Sequence, residues 1–252
     1  YGAVLDFRNL VPAITMTLGV SAIPAIASAW ATRNNERIKQ TVNSVVKTAM
    51  LISMPAGIGM AVLSRQILAL VYSGTRSQNL VEIAAPMLVI YALSTPLISI
   101  SAPVTNMLQA TSNADIPIKA LFIGSLAKIV SNYILVGNSY LNINGAPIGS
   151  VICYVVVVSY EVYFLLKFTK TKLDVFEIFI KPFFASLIMG IVTFFSYSYA
   201  TRIFNSKIST LISMVISGII YIFLLFLMKI VSKNDIFSIF SGEKFVKVLE
   251  KS

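Results

Sequence analysis

Within the stretch FIGSLAKIVSNY, Ser125, Lys128 and Asn132 fall at i, i+3 and i+7, a spacing that gathers three side chains onto one helix face. Their neighbours are apolar, so Lys128 is expected at membrane depth, where an unpaired charge costs several kcal/mol. A cation lining a wet cavity can hold a phosphate or diphosphate through charge-assisted hydrogen bonds. The alternatives are that Lys128 snorkels to the interface or pairs with Glu161 in the following apolar stretch. Glu161 lies close to the basic loop that begins at Lys167, which suggests an interfacial ion pair, with proton or cation coupling as the second reading. Arg8 sits at the outer mouth of the first apolar stretch. These five residues are the candidate cavity groups, whereas Asn106 and Gln109 read as cap and loop residues.

The elements that must carry them are membrane helices. Of the 252 residues 57% are hydrophobic and 12% charged, about half the charged share of a soluble domain. Seven spans can cross about 30 Å of hydrocarbon: Asn9 to Ala31, Thr48 to Ser64 extending towards Tyr72, Ile83 to about Gln109, about Pro117 to Val136, about Ala146 to Leu166, Pro182 to Ala200, and Ile208 to Met228. The fold class is therefore all-α, a polytopic membrane bundle. Twenty bases against ten acids give a net charge of +10. With alternating loops, fourteen bases fall on the side of Arg37, Lys170 and the C-terminal tail, and five on the side of Arg8 and Arg202. By the positive-inside rule the C-terminus is cytoplasmic and the N-terminus outside. The bases are scattered over separate segments without interleaved aromatics, so no nucleic-acid partner is expected.

Prolines and small residues interrupt nearly every span, as in kinked helices around a cavity. Ser21, Ala25 and Ala29, and Gly145 with Gly149, are spaced for close backbone approach. After Met228 the lysines alternate with apolar residues, a pattern for an interfacial amphipathic tail over residues 232–252, against a solvated tail as the alternative. The absence of His and the single Cys153 remove His-based catalysis, His-containing metal sites and an intrachain disulfide. No paired carboxylates or Gly-rich phosphate loop are present, so neither an enzyme nor a cofactor is expected. The chain starts at Tyr1 with no signal-peptide pattern beside it, which suggests a piece of a longer protein.

The segments YGAVLDFRNLVPAITMTLGVSAIPAIASAWATRN, NMLQATSNADIPIKALFIGSLAKIVSNYILV and LNINGAPIGSVICYVV resemble the polysaccharide and oligosaccharide flippases related to stage V sporulation protein B. The resemblance covers about residues 1–167. Gln109-Ala110-Thr111-Ser112 departs from it, since relatives usually show Gln-Gly and a second glycine there. It implies the multidrug/oligosaccharidyl-lipid/polysaccharide superfamily, in which two six-helix lobes rock about a central cavity. On that mapping residues 1–167 are the second lobe without its first helix, 168–231 an extra helix pair, and 232–252 the cytoplasmic tail. The expected partners are the lipid bilayer, a polyprenyl-pyrophosphate-linked saccharide such as a peptidoglycan precursor, and the missing N-terminal half. The implied setting is a bacterial plasma membrane. The alternatives are a cation-coupled multidrug exporter of the same superfamily and a polytopic glycan-transfer enzyme.

Overall fold

A computed structural model describes residues 2–72, 78–138, 140–228 and 230. Among these the secondary structure is helical, without strands: α1 (Gly2–Ala31), α2 (Asn35–Val62), α3 (Ser64–Val71), α4 (Gln78–Ala110), α5 (Asp115–Val136), α6 (Gly145–Thr169), α7 (Lys181–Ala200) and α8 (Ser206–Leu227). Seven of them are long and apolar enough to cross a membrane, as the charge-free stretches predict. The amphipathic pattern expected over 232–252 lies outside the described residues.

Helix ends follow local chemistry more than hydropathy. The second span does not run from Thr48 to Tyr72 as expected. It starts at Asn35, because the Asn34 side chain accepts the Arg37 backbone N–H at 3.1 Å, an N-cap fourteen residues before the uncharged stretch begins. It stops at Leu63, after which α3 is a separate short helix. Charged turns at a membrane helix end continue the backbone while leaving the apolar window, and counting charges misses them. α6 ends with Lys170 in the left-handed region at φ 50°. The Asp174 carboxylate caps the next element by accepting the N–H groups of Phe176 and Glu177, and a π-turn (Phe176–Ile180) leads into α7.

α1, α4 and α6 run one way through the bundle, and α2, α5 and α7 the other. At the first end, where α1 begins, Val4 packs with Leu68 of α3 and with Val81, Leu88 and Tyr91 of α4. At the second end Ile26, Val42, Val104, Met107, Ile116, Val158 and Leu165 join five helices in one cluster. Contacts between helices are made at glycines. A Cβ on Gly19 would lie 2.7 Å from the Cα of Pro103, and one on Gly57 would lie 2.5 Å from the carbonyl of Ala92. The expected stripe on α1 is thus displaced: Gly19 and Ala22 are buried with Ala29, while Ser21 is exposed, because the crossing with α4 falls on the Gly19 side. Gly145 and Gly149 are both buried against α5, as their spacing suggests.

Prolines inside these helices leave carbonyls that the helix cannot satisfy, since proline has no N–H for the residue four before it. Pro96 frees the carbonyl of Ala92, the atom packed on Gly57. Pro55 frees that of Leu51, and the Tyr221 hydroxyl of α8 donates to it at 2.9 Å. The α7–α8 pair therefore reaches α2 through a bond that the α2 proline makes necessary, and Gly190 seats α7 on Ile58 beside it. Within the pair, Thr193 and Ser217 hydroxyls meet at 2.6 Å. At the second end Glu177 binds both Lys47 of α2 and Lys181 of α7, at 3.5 and 3.1 Å.

Candidate functional site

The candidate residues divide into two groups at different depths. Arg8 enters α1 about 9 Å from its start, counting 1.5 Å per residue. Its guanidinium carbon stands 5.1 Å from the Tyr91 ring centre and 5.4 Å from that of Tyr154, and Nη2 donates to the Tyr154 hydroxyl at 3.2 Å. Tyr91 comes from α4, is fully buried and donates to the Ser150 hydroxyl of α6 at 3.4 Å. Two aromatic faces on neighbouring helices thus hold the cation without neutralising it. Arg8 Nε is buried with no hydrogen-bond partner, and Arg8 joins no ion pair among the described residues.

Cys153 of α6, one residue before Tyr154, lies within electrostatic reach of both Arg8 and Lys128. Lys128 is half-buried, and it too joins no ion pair among the described residues. α5 is brought against α6 by glycine notches. A Cβ on Gly124 would lie 3.1 Å from the Cys153 carbonyl and 2.5 Å from Val157, and one on Gly149 would overlap the Asn132 side-chain oxygen. Lys128 and Asn132 flank the α6 seam, where Asn132 Oδ1 is buried without a partner, and Ser125, on the same side of α5 two turns before Asn132, is exposed.

Glu161 belongs elsewhere. It lies seven residues beyond Tyr154, about 10 Å further along α6, and is 1% exposed. Thr105 Oγ1 donates to Oε1 at 2.7 Å and Ser101 Oγ to Oε2 at 3.3 Å, both from α4. The ion-pair readings are corrected on both counts. Glu161 pairs neither with Lys128, which lies towards the first end, nor with the basic loop. Lys167 instead places its ammonium 5.9 and 5.7 Å from the rings of Tyr163 and Phe164. Asn106 is no cap either: its amide nitrogen is buried without a partner beside Gly19.

Sequence reasoning missed Tyr91, Tyr154, Ser101 and Thr105. Two tyrosines inside otherwise apolar spans were a usable signal for the first pair, and hydroxyls four apart in an uncharged helix for the second. Among the described residues no three acidic, Cys or His side chains converge as for a metal ion. The first group offers an anion two cations, free N–H donors and aromatic surface. The second offers a single carboxyl.

Residues 1–134 match the MatE family. No curated protein matches the chain. Among solved structures the chain is similar to "Lipid II flippase MurJ, inward closed conformation", at TM-score 0.68 and 22% identity over 88% of this chain and 46% of that one. It is also similar to an inward-facing multidrug resistance MATE family transporter of the MOP superfamily, at TM-score 0.56 and 17% identity over 83% of this chain and 50% of that one. The chain thus spans about half the length of the structures it matches.

Proposed function

Since the chain belongs to the MatE family, we propose that it is part of a flippase moving a lipid-linked saccharide, carried on a polyprenyl pyrophosphate, across a bacterial plasma membrane by alternating access. The observation that carries this reading is the pair of cations, Arg8 and Lys128, both within electrostatic reach of Cys153 and neither joined in an ion pair among the described residues. Two uncompensated positive charges in a membrane bundle are costly, and a pyrophosphate supplies the missing charge while the polyprenyl tail stays in lipid. The resemblance carried by residues 1–167 favours the stage V sporulation protein B-like flippases within this family. The likeness to a MurJ structure is the higher-scoring of the two, and a lipid II flippase takes a substrate of this class.

The rest of the cavity comes from a further portion of the protein. Asn9, Ala13, Thr17 and Ser21 repeat every four residues along an exposed side of α1, and the Thr17 and Ser21 hydroxyls donate to the carbonyls of Ile14 and Leu18. A small, hydroxyl-bearing stripe of this kind suits a wet cavity wall facing a second lobe. Residues 1–167 then form one lobe, with the α7–α8 pair as an addition to it. The second end faces the cytoplasm, following the excess of bases there. Cysteines replacing Arg37 and Lys170 should be shielded from an impermeant thiol reagent in intact cells, and one at Asn205 labelled, in a Cys153-free background. The reverse pattern overturns the orientation.

For function, Arg8→Ala and Lys128→Met in the whole protein should each lower movement of a lipid-linked pyrophosphate in proteoliposomes at least about tenfold, with membrane abundance unchanged. Lys128→Arg should keep part of the activity. Full activity in both charge-removing variants refutes the reading. The second reading is a cation-coupled multidrug exporter, favoured by the buried acid Glu161 and the likeness to a multidrug transporter. Extrusion of an organic cation, with the pyrophosphate lipid left unmoved, would establish that alternative.

A further inference from the structure

We propose that Glu161, Ser101 and Thr105 form a proton-binding site between α4 and α6, fed from the second end of the bundle along one face of α4. Glu161 is the only acidic or basic side chain that is fully buried among the described residues. Each of its two oxygens receives one hydroxyl, and the two hydroxyls stand four residues apart on α4.

Hydroxyls suit both states of the acid, because each can donate or accept. With the carboxyl ionised, Ser101 and Thr105 both donate. With it protonated, its O–H donates to one hydroxyl, which turns its own proton towards a backbone carbonyl of its helix. A lysine in their place, a donor only, would favour the ionised state. The charged groups on the packed helices are otherwise engaged or distant. On α5, Lys119 is paired with Asp115 at 2.6 Å, and Lys128 lies towards the first end. On α2, Lys47 is bound to Glu177, and on α6 itself Lys167 rests over aromatic rings. Glu82 of α4 sits in the first turns of that helix, far along its axis. The carboxyl is closed from water and joins no ion pair among the described residues, so its two hydroxyl partners are what let it hold or release a proton.

The route lies on α4. Ser101 and Thr105 are themselves partly exposed, and Gln109, four residues further on, is exposed at the helix end. The three polar side chains thus make one i, i+4, i+8 line from the second end to the carboxyl. A proton leaves water, adds to one Glu161 oxygen and returns to water the same way, with no other bond made or broken. The effect of this site on transport rests on the transporter reading above, whereas its titration does not.

The test uses the whole protein in lipid nanodiscs. Infrared difference spectra across pH steps should show the C=O band of a buried carboxylic acid that is lost in Glu161→Gln, a variant keeping the shape and hydrogen-bonding capacity. Thr105→Val removes a donor to the ionised form and should move the band's midpoint to higher pH. Identical spectra for wild type and Glu161→Gln overturn the proposal. So does a midpoint that shifts with sodium at constant ionic strength, which marks a metal-cation site instead. In proteoliposomes carrying a lipid-linked pyrophosphate, wild-type transport should change with the pH of the solution at the second end, and Glu161→Gln transport should not respond to it. If that lipid is not moved at all while the Glu161 band is intact, the flippase reading fails and the proton site stands.

Discussion

Arg8 and Glu161 are both charged residues at membrane depth, and the bundle treats them in opposite ways. Arg8 is half-buried, rests on two aromatic rings and keeps its Nε without a partner. Glu161 is closed in, with both oxygens occupied by hydroxyls from one neighbouring helix. An aromatic face attracts a cation without cancelling its charge, so Arg8 is held in place yet remains available to an anion. A pair of hydroxyls satisfies a carboxyl whether or not it carries a proton, so Glu161 can change state without a partner being stranded. One site is arranged for a ligand, the other for a change in itself.

That contrast can be broken most directly at Arg8. Arg8→Ala should lower transport of a pyrophosphate lipid at least about tenfold, the scale of one charge-assisted hydrogen bond. Arg8→Lys should recover only part of the loss, since an ammonium lacks the planar fork that lies on the Tyr91 and Tyr154 rings. Equal activity of the Lys variant and wild type would show that charge alone matters and that the aromatic seat does not. At Glu161 the larger effect should be on stability. Glu161→Ala strands two hydroxyls in a packed seam and should cost about 1–3 kcal/mol, read as a lower unfolding temperature of the whole protein, while Glu161→Gln should cost much less.

A smaller effect tests whether the α5–α6 seam positions Lys128. Gly149→Ala drives a methyl into the Asn132 side chain and should destabilise by about 1–3 kcal/mol. Gly218→Ala, where a Cβ would meet nothing within 4 Å, should be neutral or slightly stabilising. If both variants behave alike, the glycine notch does not fix the helix pair. The smallest expected loss is that of Tyr221→Phe, which removes the donor to the Leu51 carbonyl and should cost about 0.6 kcal/mol, the average for a side-chain hydrogen bond between membrane helices.

Much of this was legible without coordinates. Seven spans follow from charge-free length, because in hydrocarbon a backbone must satisfy its own hydrogen bonds and a helix does so locally. Gly145 and Gly149 signalled close approach by spacing alone. Lys128, Glu161 and Arg8 were visible as charges in apolar surroundings, which is a property of composition. The start of α2 was not visible to a hydropathy reading, although the Asn34 cap was present in the sequence.

What the sequence by itself determined is the set of helices and the identity of the polar residues within them, since both depend on neighbours a few positions away. Only the tertiary structure decided which charges meet. It set Arg8 against tyrosines 83 and 146 residues away in the chain and Glu161 against hydroxyls 60 and 56 residues before it. It also turned the Tyr221 hydroxyl to the one carbonyl that Pro55 had freed, 170 residues earlier. Such partners are fixed by the rotation and crossing of whole helices. Those are set by where glycines allow backbones to touch, and no local pattern in the chain records them.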